Sequence, residues 1–78
     1  MANLELYGTA SCPYTREMRE WLEWKNKEFT EFDVDLDPVA RNRMVGLALP
    51  PYTVPLLVED DRVIQIGWQG RGCLMNGK

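Results

Sequence analysis

The order of apolar and polar positions along the chain predicts a strand, a helix, a strand, a helix and two final strands. Leu4-Glu5-Leu6-Tyr7 reads as a short strand, followed by a turn at Gly8-Thr9-Ala10-Ser11. From Pro13 to Lys25 the period becomes helical. Tyr14, Met18, Trp21, Leu22 and Lys25 share one face, and Arg16, Glu17, Glu20 and Glu23 lie largely on the other. Arg16–Glu20 and Arg19–Glu23 are oppositely charged at four-residue spacing, which supports the helix weakly. Asn26 tolerates left-handed backbone and is the expected stop. Glu28 to Val34, with Phe29, Phe32 and Val34 as its apolar content, predicts the second strand. Asp37-Pro38 is a helix start, aspartate as cap and proline just inside it, and this short helix should end near Gly46. Pro50 and Pro51 forbid regular helix after Leu47. Pro55-Leu56-Leu57-Val58 is continuously apolar, as in a strand covered on both faces. Asp60-Asp61 reverses the chain into Arg62 to Ile66, the last strand. The glycine-rich stretch from Gly67 is expected as a flexible tail through Lys78. The first half is then a right-handed crossover unit with two parallel strands, and the second half ends in a hairpin.

Seventy-eight residues make one domain, 1–78. Nine Lys and Arg against twelve Asp and Glu, with no basic stripe, argue against nucleic acid as a partner. No apolar run approaches the ~20 residues that cross a bilayer, and no signal-peptide pattern opens the chain, so the expectation is a cytoplasmic protein without a membrane partner. Histidine is absent. That removes a Cys–His dyad and most zinc sites, and no metal is expected.

Cys12 changes the picture most. It sits where the first strand hands over to the first helix, with Pro13, Tyr14 and Thr15 as the opening turn. A sulfur there faces unpaired backbone N–H groups and the positive end of the helix dipole, which favour the reactive thiolate. A small buried apolar residue is the plainer alternative, since free cysteine often plays that part. Cys73, far along the chain, could in a secreted mini-protein form a single staple with Cys12; a cytosolic, catalytic thiol fits the helix start better.

Cys12-Pro13-Tyr14-Thr15 resembles a glutaredoxin active-site turn with threonine in place of the second cysteine, and Thr53-Val54-Pro55 resembles the Thr-Val-Pro segment set beside that thiol. The likeness runs from about residue 3 to residue 66. With the tail Ile66-Gly67-Trp68-Gln69-Gly70-Arg71-Gly72-Cys73, the chain is similar to the Uxx-star group of small glutaredoxin-like proteins, many of which carry selenocysteine at the position of Cys12. The resemblance implies a minimal α/β thioredoxin-like fold, β-α-β-α-β-β, with the C-terminal helix reduced or absent. It implies a small, monomeric thiol-disulfide oxidoreductase with Cys12 as nucleophile, acting on a disulfide-bearing protein and re-reduced by a protein or low-molecular-weight thiol. It further implies a cis peptide before Pro55, where the residues alone suggest a strand that merely begins with proline. Two departures bear on cofactors. Thr9 stands in the region where glutaredoxins place a lysine, and Gly67-Trp68-Gln69 replaces their Gly-Gly-Cys-Asp segment. Glutathione is therefore not expected as a required cofactor, nor is an iron–sulfur cluster, since the Cys-Gly-Phe-Ser turn of cluster carriers is missing. A one-cysteine iron–sulfur carrier and a protein-docking module are the rival functions.

Roles at the other positions stay open in the sequence. Thr15 could donate its hydroxyl to the sulfur, or bond its own backbone on a solvent-facing helix surface. Tyr14 could shield the sulfur or pack. Val54 could offer its backbone to an extended partner beside Thr53 and Pro55. Trp68 could cap the site, dock a partner, or cover sheet left open by the missing helix. Cys73 is either the resolving thiol or an incidental tail residue. In a thioredoxin-like topology the third and fourth strands bring it to the side of Cys12, and the six residues from Gly67 span up to ~20 Å.

Overall fold

A computed structural model describes residues 3–74 of the chain. Its elements are β1 (Leu4–Gly8), α1 (Pro13–Trp24), β2 (Phe29–Asp33), α2 (Pro38–Leu47), β3 (Thr53–Val54), β4 (Leu56–Glu59), β5 (Arg62–Ile66) and β6 (Cys73–Leu74). Four strands form one sheet in the order β2-β1-β4-β5, with β1 parallel to β2 and antiparallel to β4, and β4 antiparallel to β5. This is the mixed sheet of a crossover unit followed by a hairpin, the thioredoxin-like arrangement.

The two faces of the sheet follow from the two-residue alternation of strands. Leu4 and Leu6 of β1 and Leu57 of β4 pack with Met18 and Leu22 of α1. Tyr7 of β1 and Leu56 and Val58 of β4 pack with Ala40 and Met44 of α2, together with Val34, Val54 and Cys12. One helix on each face makes three layers, so the continuously apolar β4 is covered on both sides. Cys12 thus belongs to the α2-side core although it opens the helix of the other side.

Chain ends of the helices form as their residues dictate. Asn26 adopts a φ of 57°. The Asn26 N–H donates to the Glu23 carbonyl and the Lys27 N–H to the Leu22 carbonyl, the paired bonds that close a helix through a left-handed residue. The Asp37 carboxylate accepts from the Val39 and Ala40 N–H groups at 3.0 and 3.2 Å. Asp60 and Asp61 both take positive φ, 49° and 67°, the two-residue turn whose twist matches a hairpin.

Three local expectations are corrected. Arg19 does not pair along its helix with Glu23; it reaches Glu31 on β2 at 3.2 Å, because the sheet brings that carboxylate alongside. Thr15, not Tyr14 or Lys25, completes the buried face of α1 with Met18 and Leu22. The stretch from Gly67, expected as a flexible tail, is structured as far as Leu74. Trp68 and Arg71 exchange backbone hydrogen bonds at 2.6 and 2.9 Å across a tight turn, and Cys73 and Leu74 form β6, antiparallel to β3. The unpaired edge of β3 supplies the backbone partners that the tail alone lacks. The remainder of the expected flexible tail, 75–78, lies outside the described residues.

Candidate active site

Cys12 is the N-cap of α1, with extended backbone (φ −89°, ψ 115°) and Pro13 at the first helical position. β1 delivers the loop, and its Thr9 carbonyl accepts the Cys12 N–H at 3.3 Å. The Cys12 side chain makes no capping hydrogen bond to the first turn, although its place at the N-cap sets it at the positive end of α1. Cys12 is 2% exposed. Its Sγ lies 3.8 Å from the carbonyl oxygen of Val54, the residue before a cis Pro55 peptide. Pro50–Pro51 is also cis.

Cys12 and Cys73 are joined in a disulfide, their Cα atoms 6.0 Å apart across a sequence separation of 61. The register of β6 on β3 brings this about. Val54 pairs with Cys73 and Thr53 with Leu74, so the same backbone that faces Cys12 aligns the second sulfur. Gly72 is needed at this approach. A Cβ there would sit 2.5 Å from Thr53 Cγ2 and 2.8 Å from the Val54 carbonyl oxygen, closer than packed atoms tolerate. The half-buried Cys73 is the more accessible of the two cysteines.

The other singled-out residues divide. Thr15 is 1% exposed and its Oγ1 has no hydrogen-bond partner among the described residues, so with the disulfide closed it is neither a surface residue bonding its own backbone nor a donor to the sulfur. Its side chain fills the space beside Gly8, where any Cβ would collide with it. Tyr14 is half-buried and packs on the cluster that holds Cys12. Trp68 is not brought to the sulfur. Its ring meets that of Trp21 at 5.7 Å between centroids, and Trp21 lies nine residues, ~13 Å, along α1 from Cys12. There it packs, partly buried, on the α1-side core.

A cleft of about 150 Å³ opens beside Cys12, lined in part by Pro13, Arg16 and Arg19. Positive charge therefore reaches the site from α1. Thr9, in the region where a lysine would come from the preceding loop, is 7% exposed. The helical pattern assigned Arg16 to the solvent face, which is correct, but a helix start leaves that face beside the sulfur as well.

A second polar cluster lies on the α2 face. The Tyr7 hydroxyl donates to Glu5 Oε1 at 3.0 Å and accepts from Arg43 Nε at 2.7 Å. Arg43 also pairs with Glu5 and with Asp61 of the hairpin turn. Burial, with the Glu5 hydrogen bond second, pushes the Tyr7 hydroxyl up to about 12. These groups fix α2 to β1 and to the hairpin, away from the sulfurs. Nothing in the spacing of Glu5, Tyr7 and Arg43 distinguishes them from a solvated strand and helix.

Known proteins of the same build were found by sequence and by structure. The glutaredoxin family model matches residues 4–64. Two probable glutaredoxins of Synechocystis sp. are 33% and 32% identical over 63 residues, each match covering 81% of this chain and 58% and 72% of the relative. The chain thus spans little more than half of the first relative's length. A glutaredoxin structure from Archaeoglobus fulgidus superposes with a TM-score of 0.69 at 22% identity, covering 87% of this chain and 77% of that one. Glutaredoxin 1 from Francisella tularensis, complexed with cacodylate, gives 0.62 at 26% identity, covering 87% and 85%. The narrower Uxx-star likeness rests on the tail from Ile66 to Cys73 together with the Cys12-Pro13-Tyr14-Thr15 turn, and these relatives do not bear on it. Family match, related sequences and sheet order agree on one statement: this chain belongs to the glutaredoxin family, whose chemistry is thiol redox.

Proposed function

We propose that the chain is a thiol–disulfide oxidoreductase in which Cys12 is the nucleophile and Cys73 the resolving thiol. The observation that carries this reading is the Cys12–Cys73 disulfide at the start of α1. In the reduced chain the Cys12 thiolate attacks a substrate disulfide, forming a mixed disulfide and releasing one substrate thiol. Cys73 then attacks Cys12 Sγ, the Cys12–Cys73 bond forms, and the second substrate sulfur leaves as thiolate and takes a proton. An external thiol, protein or small molecule, attacks the more accessible Cys73, frees the Cys12 thiolate and forms a mixed disulfide on Cys73; a second thiol of the reductant then releases Cys73 and leaves as the oxidised reductant. Cys12 is the better leaving group because the helix start stabilises its thiolate.

Thr15 enters on reduction. A buried hydroxyl without a partner is costly in the oxidised chain, so its presence calls for a partner in another state. Three residues into the helix from Cys12, it is the group poised to donate to the thiolate that opening of the disulfide creates. Glutathione is not required in this scheme, because Thr9 provides no cation before the thiol. Reduction of glutathione mixed disulfides should therefore run well below the rate of an ordinary glutaredoxin in a coupled assay; equal turnover would overturn that part of the reading. No helix among the described residues is long and apolar enough to cross a membrane.

The test is substitution of each sulfur. Cys12→Ser should abolish disulfide reduction, and Cys73→Ser should keep the first attack while accumulating mixed disulfides with substrate. Activity surviving Cys12→Ser would sink the assignment.

A further inference from the structure

The edge of β3 is the one place where the closed disulfide and an incoming substrate make the same demand. Thr53 and Val54 are not part of the four-stranded sheet, and among the described residues their strand pairs only with Leu74 and Cys73. A strand edge of this kind accepts any extended segment that offers backbone groups in register. Cys73 is held opposite Val54, with its sulfur bonded to Cys12, which is the geometry a substrate cysteine must reach to form a mixed disulfide. From this we propose that β6 is an internal stand-in for substrate. The β3 edge takes an extended, cysteine-bearing protein segment with glycine immediately before the cysteine, and closure of β6 shuts that edge.

The glycine requirement comes from the crowding at Gly72. Thr53 Cγ2 and the Val54 carbonyl oxygen leave no room for a Cβ at the position preceding the cysteine. A segment bound in the register of β6 meets the same two atoms. The residue after the cysteine is less constrained, since Leu74 is 72% exposed. The edge holds one strand at a time, so resolution and release become one event. As Cys73 attacks Cys12 Sγ, the Cys12–substrate bond breaks, the electron pair leaves on the substrate sulfur, and β6 replaces the departing strand. The oxidised chain then has no free edge for another substrate until an external thiol reduces it.

This inference rests on Cys12 being the nucleophile, and the test separates the two. The Cys73→Ser chain is mixed with the peptide of residues 69–74, its cysteine carrying a nitrothiobenzoate leaving group whose release is coloured. Attack on the peptide sulfur forms Cys12–S–S–peptide and frees one nitrothiobenzoate thiolate. The Gly72→Val peptide is run alongside, and both rates are divided by those with a small free thiol, which removes intrinsic reactivity. The glycine peptide should react about 10-fold faster or more, the scale of a badly overpacked contact. Equal normalised rates for the two peptides would overturn the docking register while leaving the nucleophile standing. Failure to react even with the peptide-free nitrothiobenzoate disulfide would overturn the redox assignment of Cys12, and the inference with it.

Discussion

At the scale of single residues, the site sets a sulfur against a helix start and a buried hydroxyl beside it. Cys12 in the reduced Cys73→Ser chain should titrate below the ~8.5 of an unperturbed thiol. Thr15→Val, isosteric and without the hydroxyl, should raise that value if Oγ1 donates to the thiolate. Ultraviolet titration of the thiolate reads both, and an ordinary Cys12 pKa would contradict the proposed role. The same substitution removes a partnerless buried oxygen from the oxidised chain, so its oxidised stability should hold or rise by about 1 kcal/mol. Tyr7 gives a second residue-scale expectation. Its hydroxyl is pushed from 10.0 to about 12, so the folded state holds its proton where the unfolded state loses it. The stabilisation is complete below pH 10 and is lost as pH rises toward 12. Chemical denaturation across that window should show a fall in unfolding free energy of roughly 2–3 kcal/mol that Tyr7→Phe removes.

Among the elements, the helix caps and the late strand have opposite origins. Asp37 before Pro38 and Asn26 after the first helix act through their immediate neighbours, so both were legible in the sequence. Asp37→Ala should cost about 1 kcal/mol by losing its two accepted N–H bonds, measurable by urea denaturation. β3 and β6 were not legible in this way. Each is two residues long and acquires strand character only from the other, across about twenty residues of chain. Thr15 stayed open in the sequence for a related reason. Its helical position marks the face that Met18 and Leu22 share, yet a threonine in a polar first turn reads as solvent-facing until Gly8 is seen to make room for it. Trp68 was left open because its glycine-bounded segment has no period, and only the sheet shows that Trp21 is its neighbour. If β6 must pair with β3 to present Cys73, Gly72→Val in the full chain should slow closure of the disulfide about 10-fold without slowing the first attack of Cys12. Quenched time points resolved by mass should then show mixed disulfide accumulating although Cys73 is present. Closure at the unaltered rate would mean that strand pairing does not guide the second sulfur.

For the whole molecule, the disulfide joins the two ends of the described fold through the shared core. Cys12 stands at the head of the first helix and Cys73 on the last strand, so their bond crosses nearly the whole connectivity of the domain. A cross-link of that separation removes unfolded-state freedom worth about 4 kcal/mol in the loop-entropy account, and the oxidised chain should resist denaturant better than the reduced one. The central claim is that these two cysteines are one redox pair. Its most direct measurement is peptide mapping of the full-length monomer after mild oxidation, with free thiols blocked before digestion. The account predicts a single intrachain linkage between the peptides holding Cys12 and Cys73, reversed by a thiol reductant. Cys12 found only in intermolecular disulfides or over-oxidised, with Cys73 free and blocked, would contradict it.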